Sequence, residues 1–475
     1  MTLVAGVDSS TQSCTVEVRD AATGALVASG SAPHPPVTPP SAEQDPADWE
    51  RAFERAWQAA GAPRVAALAI AGQQHGLVAL DAAGAVVRPS KLWCDTTSAP
   101  DAAWLVARGP GDAAGWARAC GLVPVASHTI TKLSWLHRSE PASWARLARV
   151  CLPHDWLTGR LGGAFATDRG DASGTGYWSP AEGRYRPDLL AVVDGERDWA
   201  AALPEVVGPA ERVGRWGSGG PVLGPGTGDN MAAALGLGLG VGEVAVSIGT
   251  SGTVYTVSET PSADASGEVS GFADATGRFL PLVCTLNAAK VTDAAARLLG
   301  AGHAELDALA LAAPPGARGL VLVPYLDGER TPNRPDARGV LAGLRSDVSR
   351  EELARAAFEG VVCGLLDGLD ALARQVPADG PITLVGGGAS SAAYRRILAD
   401  LSGRVVRVPA EQGSTVALGA AVQAAATLEE TTPEAVRAAW RAADVEQVEP
   451  DPAAERDAVR EAYAARREEG VANPG

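Results

Sequence analysis

The hydrophobic and polar positions near the N-terminus alternate as expected for β-strands. Leu3–Val7 is a short apolar run, and the polar, turn-forming residues Asp8–Ser13 follow it. Further runs of strand-forming residues lie at Val65–Ala71, Leu77–Leu80 and Ala85–Arg88. Because Gly, Asp and Ser clusters separate these runs, the pattern predicts a meander of strands. Trp- and Ala-rich stretches from there to about residue 200 predict helices.

A glycine-rich stretch near residue 240 precedes a new set of strand-forming residues. Strands predicted at Gly319–Pro324 and Ile382–Val385 then alternate with a helix predicted at Glu351–Arg374. Such alternation is typical of α/β layers, and a chain of 475 residues is longer than one core usually supports. We therefore predict two α/β domains, residues 1–240 and 241–475, with a helical tail from about residue 430.

A weak internal repeat connects the two predicted halves. VDSSTQSCTV (Val7–Val16) and VSIGTSGTVY (Val246–Tyr255) each have the pattern of a strand, a turn of small residues and a second strand. Thr11 and Thr250 occupy equivalent positions. Small residues let the main chain approach phosphate oxygens closely. One such hairpin usually only turns the chain, but two equivalent hairpins predict a pair of phosphate-binding turns.

Composition excludes several classes of partner. With 46% hydrophobic and 20% charged residues the chain is ordinary for a globular protein, and its net charge of −16 provides no basic field for nucleic acid or an anionic membrane. The six cysteines show no C-x-x-C spacing, so neither a zinc site nor a disulfide framework is predicted. Without a signal peptide pattern or an 18-residue apolar run, we expect a soluble, cytoplasmic protein with no nucleic-acid or membrane partner.

Two further features are compatible with a bound nucleotide. Gly386–Gly388 follows the strand predicted at Ile382–Val385 and precedes a helix, a place where nucleotide phosphates often bind. Neither a Walker loop nor a GxGxxG motif is present, which excludes two common nucleotide folds. Asp8 ends the first strand, where a carboxylate beside phosphates could hold Mg²⁺. An aspartate that only starts a turn is an equally good interpretation of Asp8.

Two groups of polar residues are candidates for a sugar site. Asp229 lies where a helix begins in GTGDNMAAALGLG, so by itself it is best interpreted as an N-cap. If it faced a cleft, it could instead act as a general base within ~3 Å of a hydroxyl group. Gln73, Gln74 and His75 follow a strand and lie between two glycines. Since α/β folds bind ligands at strand ends, these side chains favour binding of a polyol.

These motifs together resemble the FGGY family of carbohydrate kinases. SHTITKLSWL at Ser127–Leu136 is similar to the first family signature, and GVLAGL at Gly339–Leu344 with the following Glu352–Glu359 is similar to the second. The resemblance extends from residue 3 to about residue 425. It implies two actin-like, ribonuclease H-like ATPase domains with a central interdomain cleft. It also implies a sugar kinase that uses ATP and Mg²⁺ and that can form a homodimer.

Three segments resemble the branch of the family that acts on D-xylulose: AGQQHG at Ala71–Gly76, WCD at Trp93–Asp95 and PYLDGERTP at Pro324–Pro332. The implied reaction converts D-xylulose to D-xylulose 5-phosphate. The sequence departs from the family pattern at Thr15, where a basic residue is common, and within two of these segments at Gln74 and Cys94. A kinase for D-ribulose, L-xylulose or glycerol, and a non-catalytic actin-like sugar sensor, are the alternatives.

The resemblance also implies a role for individual residues. Asp229 would be the catalytic base, and Asp8 would be the carboxylate associated with Mg²⁺. The sugar pocket would contain Gln74, His75, Trp93, Asp95, Asp229 and Asn230. The nucleotide would contact Ser10, Thr11, Gly249, Thr250, Gly387, Gly388 and Ala389.

Overall fold

The computed structural model describes residues 1–410, 413–440 and 444–472, and these residues form two compact units. The first unit contains Met1–Leu239, Val257–Pro281 and the described residues of Gln412–Ala442. The second contains the described residues of Gly240–Thr256, Leu282–Glu411 and Ala443–Gly475. The chain therefore passes between the units several times. The predicted division into two domains at residue 240 stays a prediction.

The strands of both units are numbered here in chain order. They are β1 Leu3–Ser9, β2 Ser13–Asp20, β3 Leu26–Pro33, β4 Glu43–Gln44, β5 Ala67–Gly72, β6 Val78–Leu80, β7 Ser90–Lys91, β8 Arg149–Cys151, β9 Ala166–Asp168, β10 Trp178–Ser179, β11 Arg184–Tyr185, β12 Glu205–Val207, β13 Gly214–Arg215, β14 Val222–Leu223, β15 Thr227–Gly228, β16 Val244–Ile248, β17 Gly252–Thr256, β18 Ser270–Ala273, β19 Phe279–Thr285, β20 Val321–Val323, β21 Val340–Ala342, β22 Ile382–Val385, β23 Val406–Pro409 and β24 Val445–Val448.

The helices follow the same convention. They are α1 Pro46–Ala59, α2 Ala99–Arg108, α3 Asp112–Cys120, α4 Thr129–Ser139, α5 Pro141–Arg146, α6 Pro153–Arg160, α7 Arg169–Ala172, α8 Pro187–Val193, α9 Asp229–Leu237, α10 Ala289–Leu299, α11 His303–Ala312, α12 Arg350–Ala373, α13 Ala392–Ser402, α14 Thr415–Glu429, α15 Pro433–Ala439 and α16 Arg456–Ala472. Short 3₁₀ turns lie at Pro315–Gly319 and Gly387–Ser390.

The sheet of the first unit has the strand order β13-β14-β5-β1-β2-β3, and β15 also pairs with β5. Strands β1, β5, β14 and β15 run parallel, whereas β1–β2 and β2–β3 are antiparallel. Helix α1 covers one face with the buried side chains of Trp49 and Phe53. Its N-terminus is well defined because the Asp45 side chain accepts a hydrogen bond from the N–H of Ala47 (3.0 Å).

Helix α14 lies against the same sheet at very short range. A Cβ atom on Gly6 of β1 would lie 1.9 Å from the carbonyl oxygen of Ala417 and 2.4 Å from the nitrogen of Ala421. Both atoms belong to the helix backbone and cannot rotate away. Glycine at position 6 therefore lets the N-terminus of α14 approach the end of β1, where the candidate site lies.

In the second unit the order of neighbouring strands is β19-β17-β16-β22-β23-β24. β16–β17 and β17–β19 are antiparallel, while β16–β22 and β22–β23 are parallel. The long helix α12 begins with a capping box in which Ser349 and Glu352 hydrogen-bond each other's main-chain N–H groups. Both units thus combine a mixed sheet with helices, and the predicted α/β class is confirmed.

Several predicted elements differ in detail from the structure. β1 continues through Asp8 to Ser9, two residues beyond the predicted strand. The strand predicted at Ala85–Arg88 is wrong, because this segment forms only one isolated bridge, between Leu80 and Val86. None of the helices in the described part of the chain combines the length and apolar character needed to span a bilayer.

Candidate active site

The candidate site of the first unit is built on the ends of three neighbouring parallel strands. Gly72 at the end of β5 pairs with Ser9 of β1 and with Gly228 of β15. The residues that follow these three positions therefore emerge at one edge of the sheet, which is the usual ligand site of α/β folds. Gln74 and Asp229, two of the predicted sugar-site residues, are brought together in this way.

Gln74, Asn230 and Asp229 form a hydrogen-bonded row. The Nδ2 group of Asn230 donates to Oε1 of Gln74 (2.6 Å) and to Oδ1 of Asp229 (2.9 Å). The Nε2 group of Gln74 is buried and has no hydrogen-bond partner among the described residues. Buried donors normally find a partner, so this group is suited to donate to a ligand oxygen. Gly228 makes room for the row, since its Cβ would lie 2.6 Å from Cγ of Gln74.

The carboxyl group of Asp229 is strongly perturbed. Asp229 is the first residue of α9, and Gly228 is the N-cap, so the cap position expected for Asp229 lies one residue earlier. Its Oδ1 atom accepts the main-chain N–H of Asn230 (2.9 Å). Burial of the carboxyl group, reinforced by the charges of Asp8 and Asp171, raises the pKa of Asp229 to about 8. A carboxylate with a raised pKa is a better proton acceptor than an ordinary aspartate.

Asp8 is held at the end of β1 by two hydroxyl groups. The Oγ atoms of Ser10 and Ser414 each donate to its carboxylate, Ser414 at 2.9 Å. Ser414 is also the N-cap of α14, and its N–H donates to Oε1 of Glu17 (2.6 Å). Burial raises the pKa of Asp8 above its ordinary value despite both hydroxyl hydrogen bonds. A bound cation would stabilise the charged form of this group.

The first hairpin also reaches a predicted sugar-site residue. Nε1 of Trp93 donates to Oγ1 of Thr11 (2.8 Å). Asp95, in contrast, uses both carboxylate oxygens internally: it accepts from Nζ of Lys91 (3.2 Å), from the N–H of Thr97 (3.0 Å) and from the N–H of Ala42 (2.9 Å). These contacts tie Asp95 to its own loop and to Ala42, which lies 53 residues earlier in the chain, and its contact with sugar stays a prediction.

The two predicted phosphate turns differ by one residue. In the first hairpin Val7 pairs with Val16, whereas in the second Val246 pairs with Val254. The repeat therefore holds from the first strand through Thr11 and Thr250, and the second loop is one residue shorter. Thr15, where the sequence departs from the family pattern, pairs with Asp8 across the first hairpin, and its Oγ1 atom lies 3.1 Å from Oγ of Ser31.

The glycine loop after β22 lies beside the second hairpin, within the second unit. A Cβ on Gly386 would lie 2.7 Å from the carbonyl oxygen of Ile248, and one on Gly388 would lie 2.4 Å from Cγ2 of the same residue. Ile248 immediately precedes Gly249. The structure thereby brings Gly249 and the loop up to Ala389 together. A Cβ built on Gly387 meets no described atom within 4 Å, which leaves open space beside this loop.

His75 has an unusual backbone conformation that Asp171 supports. Its φ of 65° lies in the left-handed region, which costs a non-glycine residue roughly 1 kcal/mol or more. Oδ1 of Asp171 accepts the main-chain N–H of His75 (3.2 Å) and lies 3.2 Å from its Nδ1. The ring of Phe272 lies 5.0 Å from the His75 ring.

Gly174 provides the space for the His75 ring, which leads to a testable prediction. A Cβ at this position would lie 1.7 Å from Cε1 of His75. Gly174→Ala should therefore displace the ring, and for the sugar kinase that the sequence predicts it should raise the KM for sugar about tenfold or more, with the KM for ATP unchanged. Gly277→Ala is the matched control, because its Cβ would meet nothing within 4 Å among the described residues. Equal sugar KM values for the two variants would contradict the role of His75.

Sequence reasoning missed Asp171, Gly174 and Ser414. The segment TDRGDASG contains one local signal, Asp168, whose side chain accepts the N–H groups of Gly170 and Asp171 as an N-cap. Nothing in that segment indicates a contact with His75, which lies 96 residues away. Ser414 is 406 residues from Asp8, and the only signal is its position before an apolar helical pattern.

Comparison with known proteins places this geometry in a family. The profile of the FGGY family of carbohydrate kinases, N-terminal domain, matches residues 3–236, and that of the C-terminal domain matches residues 244–428. The xylulose kinases of Streptomyces coelicolor and Streptomyces rubiginosus are 46% and 45% identical, with 93% of this chain and 91% of each relative covered. The crystal structure of xylulose kinase from Bifidobacterium adolescentis is 42% identical, with a TM-score of 0.86, and covers 98% of this chain and 99% of its own. The predicted family is confirmed: the chain belongs to the FGGY family of carbohydrate kinases.

Proposed function

We propose that this carbohydrate kinase transfers the γ-phosphoryl group of ATP to a hydroxyl group of D-xylulose, which yields D-xylulose 5-phosphate. The observation that carries the proposal is the hydrogen-bonded row of Gln74, Asn230 and Asp229 at the ends of three parallel strands. Relatives of about 45% identity that cover nearly the whole chain are xylulose kinases, which supports the choice of sugar.

In this proposal Gln74, Asn230 and Asp229 have different roles in sugar binding and catalysis. Gln74 donates through its free Nε2 group, and Asn230 and His75 provide further hydrogen bonds to the sugar. Asp229 accepts the proton of the attacking hydroxyl group. Because phosphoryl transfer has a loose transition state, much of the rate enhancement comes from positioning and charge stabilisation. Trp93 and Asp95 are proposed as additional sugar contacts.

The phosphate chain of ATP is assigned to the two hairpin turns and the glycine loop. Ser10 and Thr11 of the first turn and Gly249 and Thr250 of the second are proposed to contact the phosphates. The hydroxyl hydrogen of Thr11 is available, because its Oγ1 atom accepts from Trp93, whereas the Ser10 hydroxyl group donates to Asp8 and the N–H of Gly249 donates to the carbonyl oxygen of Ser251 (3.0 Å). Gly387, Gly388 and Ala389 are assigned to the adenosine side, where the open space beside Gly387 admits a ligand. Main-chain donors in small-residue turns are suited to phosphate oxygens.

Mg²⁺ is proposed to associate with Asp8. The residues fit such an ion: the Asp8 side chain is partly buried, burial raises its pKa, and two hydroxyl groups donate hydrogen bonds to it. Within the described residues no group of three or more His, Cys, Asp or Glu side chains is suited to a metal. Mg²⁺ commonly binds through one or two carboxylates, waters and phosphate oxygens. When bound, it would neutralise charge on the phosphates.

The choice of sugar is tested by ADP release from the purified protein. The panel contains D-xylulose, D-ribulose, L-xylulose, glycerol and gluconate, and D-xylulose should give the highest kcat/KM. Since one or two pocket contacts set such preferences, a difference of at least about tenfold over the next sugar is expected. A clear preference for another member of the panel would refute the assignment of D-xylulose. If no compound of the panel gives ADP release, the result would favour the non-catalytic sensor.

A cytoplasmic location and a homodimer complete the proposal. The homodimer rests on the family resemblance, and the cytoplasmic location rests on the sequence features described above. Light scattering of the purified protein checks the dimer.

A further inference from the structure

A fully buried histidine lies beneath the candidate site. The side chain of His154, the second residue of α6, is 0% exposed. Its Nε2 atom lies 3.3 Å from Oδ1 of Asp155, 3.4 Å from Oδ1 of Asp168 and 3.5 Å from Oδ2 of Asp171. Burial by itself lowers the pKa of His154, but the three carboxylates outweigh it and raise the pKa to about 9. The three carboxylates therefore favour the protonated, cationic form of the imidazole.

Two of these carboxylates, those of Asp171 and Asp168, accept hydrogen bonds from two different segments of the site. Asp171 accepts the main-chain N–H of His75 and holds its left-handed conformation. Asp168 accepts the hydroxyl group of Thr227 at 2.6 Å, and Thr227 lies two residues before Asp229. The histidine thus connects, through one aspartate on each side, the loop that carries His75 and the strand that leads to Asp229.

The backbone around His154 fits the imidazole closely. A Cβ on Gly72 would lie 2.9 Å from Cβ of His154, and a Cβ on Gly226 would lie 3.0 Å from its Nδ1. Gly72 is the residue of β5 that pairs with both Ser9 and Gly228. The cation is consequently fixed directly behind the strand ends that form the site.

The free-energy cost of burying charged groups argues that His154 and its carboxylates have a specific role. A buried ion pair gains little over an apolar replacement, whereas removing one partner leaves an uncompensated charge. Without the cation, Asp168 and Asp171 would be buried anions with no compensating positive group on His154, and Asp171 already has its pKa raised by burial to about 7. Loss of the charge would favour protonation of Asp171 and weaken its hold on His75.

We infer that His154 is a positioning residue for sugar phosphorylation, which pairs with Asp168 and Asp171 and thereby fixes His75 and the strand leading to Asp229. It does not touch the sugar. This inference rests on the proposed function only in its choice of assay substrate, because the assay uses whichever sugar the wild-type protein phosphorylates best.

The test compares His154→Gln with His154→Lys, which removes or retains the charge. For His154→Gln the KM for sugar should rise roughly ten- to hundredfold and kcat should fall, while the KM for ATP stays within about twofold. His154→Lys should recover most of the loss. Equal defects in the two variants, or an unchanged sugar KM in His154→Gln, would overturn the inference.

Asp171→Ala keeps the histidine and removes the carboxylate that joins it to His75, so it covers the case in which His154→Gln does not fold. This variant should raise the sugar KM without changing the KM for ATP, and an unchanged sugar KM would overturn the inference as well. A wild-type protein inactive on every sugar would instead count against the proposed function. In that case sugar binding by calorimetry replaces turnover as the measurement for the same variants.

Discussion

Asp229→Asn should lower kcat for sugar phosphorylation by about 10²–10⁴-fold, the range usual for loss of a general base. The substitution preserves the size of the side chain and the hydrogen bond with Asn230, and it removes only the capacity to accept a proton. The KM for ATP should stay close to that of the wild type. Steady-state kinetics with D-xylulose and ATP measures both quantities.

The stability of the same variant separates a catalytic from a structural role. The pKa of Asp229 is about 8 in the folded chain, above the value of about 3.9 for an unfolded aspartate. The folded state therefore binds the proton more tightly, and stability is lost as pH rises from about 4 to 8. Asparagine does not ionise, so at pH 8 and above Asp229→Asn should unfold at a temperature equal to or higher than that of the wild type.

Asp112→Asn is a matched control for the helix start. Asp112 is also the first residue of a helix after a glycine N-cap, but its side chain is exposed on α3. Asp112→Asn should change neither kcat nor the pH dependence of kcat/KM.

In the wild type kcat/KM should rise with pH up to about 8, as the Asp229 carboxyl loses its proton. Near-normal turnover of Asp229→Asn would remove Asp229 from the mechanism.

The sequence predicted those residues of the site that directly follow the end of a strand. Gln74 and Asp229 both follow short strands, β5 and β15, and the parallel pairing of these strands brings them to one edge. The family motifs also contain these residues. Local pattern and motif therefore suffice to predict site residues whose position is set by the end of a neighbouring strand.

The supporting residues could not be predicted, because their contacts depend on tertiary packing. Asp171 supports His75 from 96 residues away, and Ser414 supports Asp8 from 406 residues away. The histidine behind them, His154, lies in an apolar segment where a lone buried histidine carries no pattern of its own. Sequence periodicity reports which face of an element is buried, and it does not report which distant side chain meets it.

Gly6→Ala should destabilise the first unit by more than about 4 kcal/mol, a value reached only by severe steric or charge defects. The new Cβ would lie 1.9 Å from the carbonyl oxygen of Ala417, where ordinary contact begins at 3.4 Å, so α14 would have to move by about 1.5 Å. Overpacking usually costs ~1–3 kcal/mol because side chains rearrange. Here the opposing atoms belong to a helix backbone, which has no such freedom.

The same displacement should also reach the site. Ser414 at the start of α14 holds Asp8, two residues after Gly6, so any folded fraction of Gly6→Ala should require more Mg²⁺ for half-maximal activity. Gly159→Ala is the control: it lies within α6, its Cβ meets no described atom within 4 Å, and alanine should stabilise that helix by up to ~1 kcal/mol. Urea unfolding followed by circular dichroism measures both variants. A Gly6→Ala midpoint equal to that of the wild type would show that α14 does not pack on β1 at this distance.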